Sequence, residues 1–166
     1  MNGGYCLDTG VVVDLAVLTF ERNLGDTELR PDERSILSFL SDRQIRHAFE
    51  RFLSVRPRLR TLMSVTSEAH GVLRRKYRVS YGREAFWRHV QDLYSYYSIE
   101  ETCWPIGRAD PRHVPSVGLV DDLLVSFCRE HACILLTSDY RTLYGHAHAK
   151  QVRVYGPWDL LSEFAS

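Results

Sequence analysis

Short apolar runs and longer periodic stretches follow one another along the chain. Gly4 to Leu7 reads as a first strand ending at Asp8. Cys133 to Thr137 (CILLT) is the continuous apolar run expected of a strand buried in a parallel sheet. Val152 to Tyr155 and Glu101 to Ile106 are further strand candidates. Val11 to Phe20 (VVVDLAVLTF) is too long for an ordinary strand and reads as helix. Pro31 followed by Asp32 and Glu33 marks a helix start, continued at helical spacing by Ile36, Leu37 and Leu40. Arg43 to Leu53 is amphipathic and is stopped before Pro57. LMSVT, Leu62 to Thr66, leads into Ser67, the expected N-cap of a helix running to about Arg78. Helices are also expected over Arg83 to Tyr97, Gly118 to Glu130, Tyr140 to His146 and Trp158 to Phe164, with loop from Gly107 to Pro115. Strands alternating with helices predict one α/β domain over residues 1–166, built on a parallel sheet.

Composition narrows the class. Hydrophobic residues make up 45% and charged residues 25% of 166, a globular profile. No apolar run approaches the roughly 20 residues of a membrane helix. The opening MNGGYCLDTG lacks a basic region followed by a long apolar one, so a cytoplasmic location is expected. Cys6, Cys103, Cys128 and Cys133 are scattered and form no CxxC pair. Cys128, His131, Cys133, His146 and His148 match no common structural zinc spacing.

Net charge is zero but unevenly spread. Between Arg43 and Arg83 eleven basic residues face only Glu50 and Glu68, giving +9 there and −9 elsewhere. That stretch reads either as a polyanion-facing surface or as solvated helix faces. Tyr94, Tyr96, Tyr97 and Trp87 carry the same two readings, base stacking or packing.

The candidate chemistry sits where strands end. Functional crevices of parallel sheets lie beyond the carboxyl ends of the strands. Asp8 directly follows the first strand, and Asp139 stands two residues past CILLT. Glu68 and Asp121 are expected in first helical turns, each flanking an apolar face. At about 100° per residue, Val120, Leu123, Leu124, Phe127 and Cys128 share one face. Asp121 then flanks that face, and Asp122 points to solvent. Four converging carboxylates repel one another unless a cation neutralises them, and hard oxygen ligands suit Mg²⁺ or Mn²⁺.

Three segments carry a family resemblance: LDTG (Leu7 to Gly10), SEAHGVL (Ser67 to Leu73) and VDDLLVSFCREHACILLTSD (Val120 to Asp139). In that order they resemble the PIN domain, the fold of VapC-type toxins and related ribonucleases. The resemblance implies a three-layer α/β/α fold with a central parallel sheet of four to five strands. It implies metal-dependent hydrolysis of RNA phosphodiesters, with Asp8, Glu68, Asp121 and Asp139 as catalytic metal ligands and Thr9 and Thr137 in support. RNA is the implied partner, with Arg74, Arg75 and Arg78 as candidates to hold its phosphates. An antitoxin protein and a homodimer are the other partners it brings in. The alternative is a non-catalytic scaffold of the same fold that binds RNA or protein. Two departures from the toxin pattern stand out. Thr142 occupies a position where many such toxins carry an Asp, and about sixty residues separate Asp8 from Glu68.

Overall fold

A computed structural model describes residues 3–24, 38–76, 83–112 and 114–164. The chain runs β1 (Tyr5–Leu7), α1 (Thr9–Leu24), α2 (Arg43–Ser54), β2 (Leu59–Leu62), α3 (Met63–Lys76) and α4 (Arg83–Tyr96). It continues through β3 (Glu100–Thr102), a 3-10 turn (Ile106–Arg108), α5 (Val114–Val117) and α6 (Leu119–Glu130). β4 (Ile134–Leu136), α7 (Tyr140–Ala149), β5 (Val154–Tyr155) and α8 (Pro157–Phe164) complete it.

The five strands form one parallel sheet in the order β3-β2-β1-β4-β5. Register sets Tyr5 beside Leu59 and Ile134, and Leu7 beside Leu136, which in turn faces Tyr155. Side chains alternate between the two faces of a strand. The Tyr5 ring therefore meets Phe52 of α2 edge-on at 4.8 Å and Tyr155 at 5.9 Å. Cys6, on the other face, lies against Cys128 of α6. Helices thus cover both faces, giving three layers, as a parallel sheet requires. α1 packs on α3 and α4, α2 on α8, and α6 on α5 and α7.

Leu7, Leu15, Phe49, Leu62, Leu124 and Leu135 are among the fully buried side chains between these layers. Burying such residues stabilises the fold by about 1.5–3 kcal/mol each relative to exposure.

Most predicted elements form, with shifted boundaries. The largest shift concerns Ser67. It is no N-cap: α3 starts at Met63, and Ser67 lies inside it, donating its hydroxyl to the Met63 carbonyl at 2.9 Å. β2 passes into α3 without a loop, because Val65, Ala69 and Leu73 already bury a helical stripe. Sequence pattern also missed β2 itself. Arg60 interrupts its apolar run, but on β3 the Glu100 carboxylate meets that guanidinium at 3.0 Å. The strand expected over Glu101 to Ile106 is shorter, and a 3-10 turn occupies its end. The helix start expected at Pro31, with Ile36 and Leu37, lies outside the described residues, and Leu40 stands in a turn.

Candidate functional site

The strand order reverses between β1 and β4. Chain connections leave β1 toward β2 and β3, whereas β4 leads away to β5. In open parallel sheets such a reversal opens a crevice at the carboxyl ends. Asp8 follows β1 there, and Thr137, Ser138 and Asp139 follow β4.

Asp8 extends the ladder by one bond, its N–H donating to the Leu136 carbonyl at 3.1 Å. Its carboxylate is 5% exposed and accepts from the Val11 N–H at 2.8 Å and from the Thr137 hydroxyl. It therefore caps α1 as well as facing the crevice. The Thr137 hydroxyl also accepts from the Asp139 N–H at 2.9 Å, tying the two strand ends together. Asp139 caps α7, accepting from the Thr142 N–H at 3.2 Å.

Glu68 comes from the second turn of α3 and is exposed. Thr9, at the start of α1, donates its hydroxyl to Glu68 Oε2 at 2.5 Å. That bond pins α3 to the strand end, so Thr9 supports the site by direct contact.

Asp121 stands in the first turn of α6, half-buried. Gly118 opens this helix with φ +89, a conformation that L side chains rarely adopt. Burial pushes the Asp121 carboxyl up to about 7, and the charges of Asp8, Glu68 and Asp139 add to the rise. Burial likewise raises Asp8 to about 7, against the hydrogen bonds from Thr137 and Val11 and with help from Asp14 and Asp139. Asp121 is therefore within electrostatic reach of the other three predicted acids, and Asp8 of Asp139. Among the described residues, no three His, Cys, Asp or Glu side chains form a ready cage for an ion.

Gly10 lets the start of α1 approach the end of β4 closely. A Cβ there would stand 2.4 Å from the Ser138 hydroxyl and 3.5 Å from Asp8 Oδ1. Ser138, buried, thus packs against bare backbone at the start of α1.

The expectation for Asp122 is overturned. Its side chain is 0% exposed. Asp122 Oδ1 meets His146 Nε2 at 2.8 Å and Lys150 Nζ at 2.7 Å, and Oδ2 accepts from the Asp110 N–H at 2.6 Å. Burial alone would raise its carboxyl, but Lys150, the Asp110 amide and His146 outweigh it and hold the carboxyl below the ordinary value. Helical phase gave the side away from the apolar stripe of α6 but not what covers it. α7 and the Asp110 turn both lie there.

Asp14 was missed as well. It is buried in the middle of α1 and accepts from the Ser38 hydroxyl at 2.7 Å and the Phe39 N–H at 2.8 Å. Burial raises its carboxyl to about 6 despite both hydrogen bonds. The signal was present: a lone acid inside VVVDLAVLTF.

The basic segment is partly neutralised. Arg46 pairs with Glu50, and both Arg58 and Arg60 pair with Glu100. Arg74 and Arg75 lie on α3 with side chains outside the described ones, and Arg78 lies outside the described residues altogether. Cys128 and Cys133 are buried core residues, and His146 is engaged by Asp122. Tyr94 packs inward and shares a 2.7 Å hydrogen bond with Thr66. A groove of about 1130 Å³ runs between α2 and the end of α4, past Arg56 and Tyr97, and touches none of the four acids. Among the described residues, no helix is long and apolar enough to cross a membrane.

No protein-family model matches this chain, and no curated protein matches it.

Proposed function

We propose that this chain is a PIN-type ribonuclease that hydrolyses RNA phosphodiesters with Mg²⁺ or Mn²⁺ in the cytoplasm. One observation carries the reading. Asp121 of α6 feels the charges of Asp8, Glu68 and Asp139, which come from three other segments, and Asp8 and Asp139 follow the two strands between which the order reverses. Such a gathering of like charge is unfavourable by itself and becomes favourable around a cation. The donor set fits: carboxylate oxygens are the ligands that hard divalent ions take.

A bound ion at this place would supply an acidified water and a polarised phosphodiester. Asp8 and Asp121 are the core ligands in this reading, with Glu68 and Asp139 completing the shell directly or through water. The chain's other residues hold these groups. Thr137 orients the Asp8 carboxylate, and Thr9 orients that of Glu68. Gly118 allows α6 to begin so that Asp121 falls in its first turn. Arg74, Arg75 and Arg78 are assigned to RNA phosphates, where guanidinium forks would make affinity fall with salt. The toxin of a toxin–antitoxin pair is the biological role this reading favours, with an antitoxin as its protein partner and a homodimer as its assembly.

A second reading, a non-catalytic scaffold that binds RNA or protein, is favoured by a different observation. Asp8 caps α1 and Asp139 caps α7, so both acids already have structural work. One experiment separates the two. Purified protein is given single-stranded RNA with excess chelator, then with Mg²⁺ or Mn²⁺, beside an Asp121→Asn variant of unaltered fold. Cleavage that needs the ion and the Asp121 carboxylate supports the nuclease. Full activity in chelator, or none in either ion, removes it.

A further inference from the structure

The first turn of α8 leaves an indole in solvent at the sheet's carboxyl edge. Trp158 is 68% exposed, and among the described residues it makes no hydrogen bond and no ring contact. Trp104, by contrast, is half-buried and packs edge-on against Phe127 at 5.2 Å.

The turn that carries Trp158 is anchored on both sides. Pro157, buried, occupies the first helical position, where its fixed φ suits the helix. The Gly156 N–H donates to Asp159 Oδ2 at 2.7 Å, and Leu160, two residues beyond Trp158, is fully buried. An aromatic on a loose tip costs backbone ordering on contact, whereas the backbone carrying this one is anchored beforehand.

Its position relates it to the acids. Tyr155 is the register partner of Leu136, and the Thr137 N–H donates to the Tyr155 carbonyl at 3.0 Å. Trp158 follows three residues after Tyr155. It therefore follows the strand next to the one that delivers Thr137 and Asp139, at the same carboxyl edge and two strands from Asp8. A polyanion bound at the acids and running along this edge toward β5 would meet the indole. An indole face stacks any base, because every base has a π-face.

We propose that Trp158 is a base-stacking platform, holding one nucleobase of single-stranded RNA beside the phosphate that the acids address. The proposal rests on the ribonuclease reading for its ligand. The observations behind it are separate: exposure, an anchored turn and a place on the sheet's carboxyl edge.

The test uses the full chain in excess chelator, so that RNA is bound without being cut. A short single-stranded oligouridylate is titrated while tryptophan emission is followed. The expected result is quenching, with a dissociation constant raised roughly 5- to 100-fold in Trp158→Ala. Trp158→Phe should recover to within about threefold of the wild type, since a phenyl face still stacks. Unaltered affinity in Trp158→Ala, or emission indifferent to RNA, overturns the platform. So does a concentration-dependent dimer that Trp158→Ala disperses while RNA affinity stays the same, because the indole then serves a second copy. Ion-dependent cleavage by the wild type, measured alongside, keeps the two ideas apart. Cleavage with unaltered Trp158→Ala affinity removes only the platform. Absent cleavage with Trp158-dependent binding removes only the nuclease, leaving an RNA-binding scaffold.

Discussion

Lys150 sets its ammonium 2.7 Å from Asp122 Oδ1, in a place where the carboxylate has no exposed surface. His146, one helical turn earlier, reaches the same oxygen at 2.8 Å. The pair joins α6 to α7, and the Asp110 N–H joins both to the turn before α5. One residue away, Asp121 stands among the charges of Asp8, Glu68 and Asp139, and among the described residues it has no ion-pair partner. Adjacent acids on one helix thus have opposite electrostatic circumstances.

That contrast predicts opposite stability effects. Removing one partner of a buried, hydrogen-bonded ion pair costs about 3–5 kcal/mol. Asp122→Ala should therefore lower the melting temperature strongly, by about 2–4 °C per kcal/mol for a chain of this size. Asp121→Asn should leave the metal-free protein as stable as the wild type or more so, because it relieves repulsion from Asp8, Glu68 and Asp139. Thermal melts of both variants in chelator measure this. A lower melting temperature for Asp121→Asn than for Asp122→Ala would contradict the assignment.

The raised carboxyls give a pH dependence with a definite sign. Asp8 and Asp121 at about 7, and Asp14 at about 6, hold protons in the folded state that the unfolded chain releases near 3.8. Stability of the metal-free protein should therefore fall as pH rises from about 4 to 7. Asp122 works the other way: its lowered carboxyl contributes above its ordinary value and is lost as pH falls through the folded one. Three falling contributions outweigh one rising one, so these groups place the optimum at the acid end, at or below about pH 4. Mg²⁺ or Mn²⁺ should raise the melting temperature at pH 8 and hardly at pH 5, where protons compete for the ligands. Melting curves over pH 3–9 (roughly the range that spans these groups), with and without the ions, check both statements. Stability that climbs steadily from pH 4 to 7 in chelator would refute the first.

Gly10 offers a test of how closely α1 and the β4 end approach. An added Cβ would meet the Ser138 hydroxyl at 2.4 Å, too near for any real contact. Gly10→Ala should cost about 1–3 kcal/mol through this overpacking. In a Ser138→Ala background the hydroxyl is gone, and the remaining Ser138 Cβ stands at 3.8 Å. There the same change should be neutral or stabilising, since Ala favours helix over Gly by about 0.5–1 kcal/mol. Denaturant unfolding of the four proteins in the cycle gives the coupling. Additive effects would mean that Gly10 and Ser138 do not touch.

Gly118 should be equally intolerant for a different reason. No neighbour would crowd a Cβ there, since the nearest atom, Asp121 Oδ2, is 3.7 Å away. The obstacle is the backbone at φ +89, where a side chain costs about 1–3 kcal/mol. Gly118→Ala should therefore lose stability and, by rotating the first turn of α6, lose ion-dependent cleavage out of proportion to unfolding. Circular dichroism with RNA cleavage on the folded fraction separates the two effects. Full activity in a stable Gly118→Ala protein would show that this turn does not set Asp121.

Sequence by itself determined the alternation of strands and helices, because burial leaves a local record. CILLT is apolar throughout because β4 lies in the sheet's interior, and Arg43 to Leu53 is amphipathic because α2 buries one stripe. It also brought out Asp8 and Asp139, since a residue following a strand must lie at the sheet's edge. Tertiary structure decided what periodicity cannot encode. A helical stripe shows which side of α6 meets the sheet but not that α7 covers the other, so Asp122 was placed in water when His146 and Lys150 enclose it. The spacing of those two, four residues apart on one helix, was visible but pointed to no partner. The link from Thr9 to Glu68 spans 59 positions and the one from Thr137 to Asp8 spans 129. Contacts over such separations arise only once strand order brings the segments together, and strand order is a property of the whole sheet.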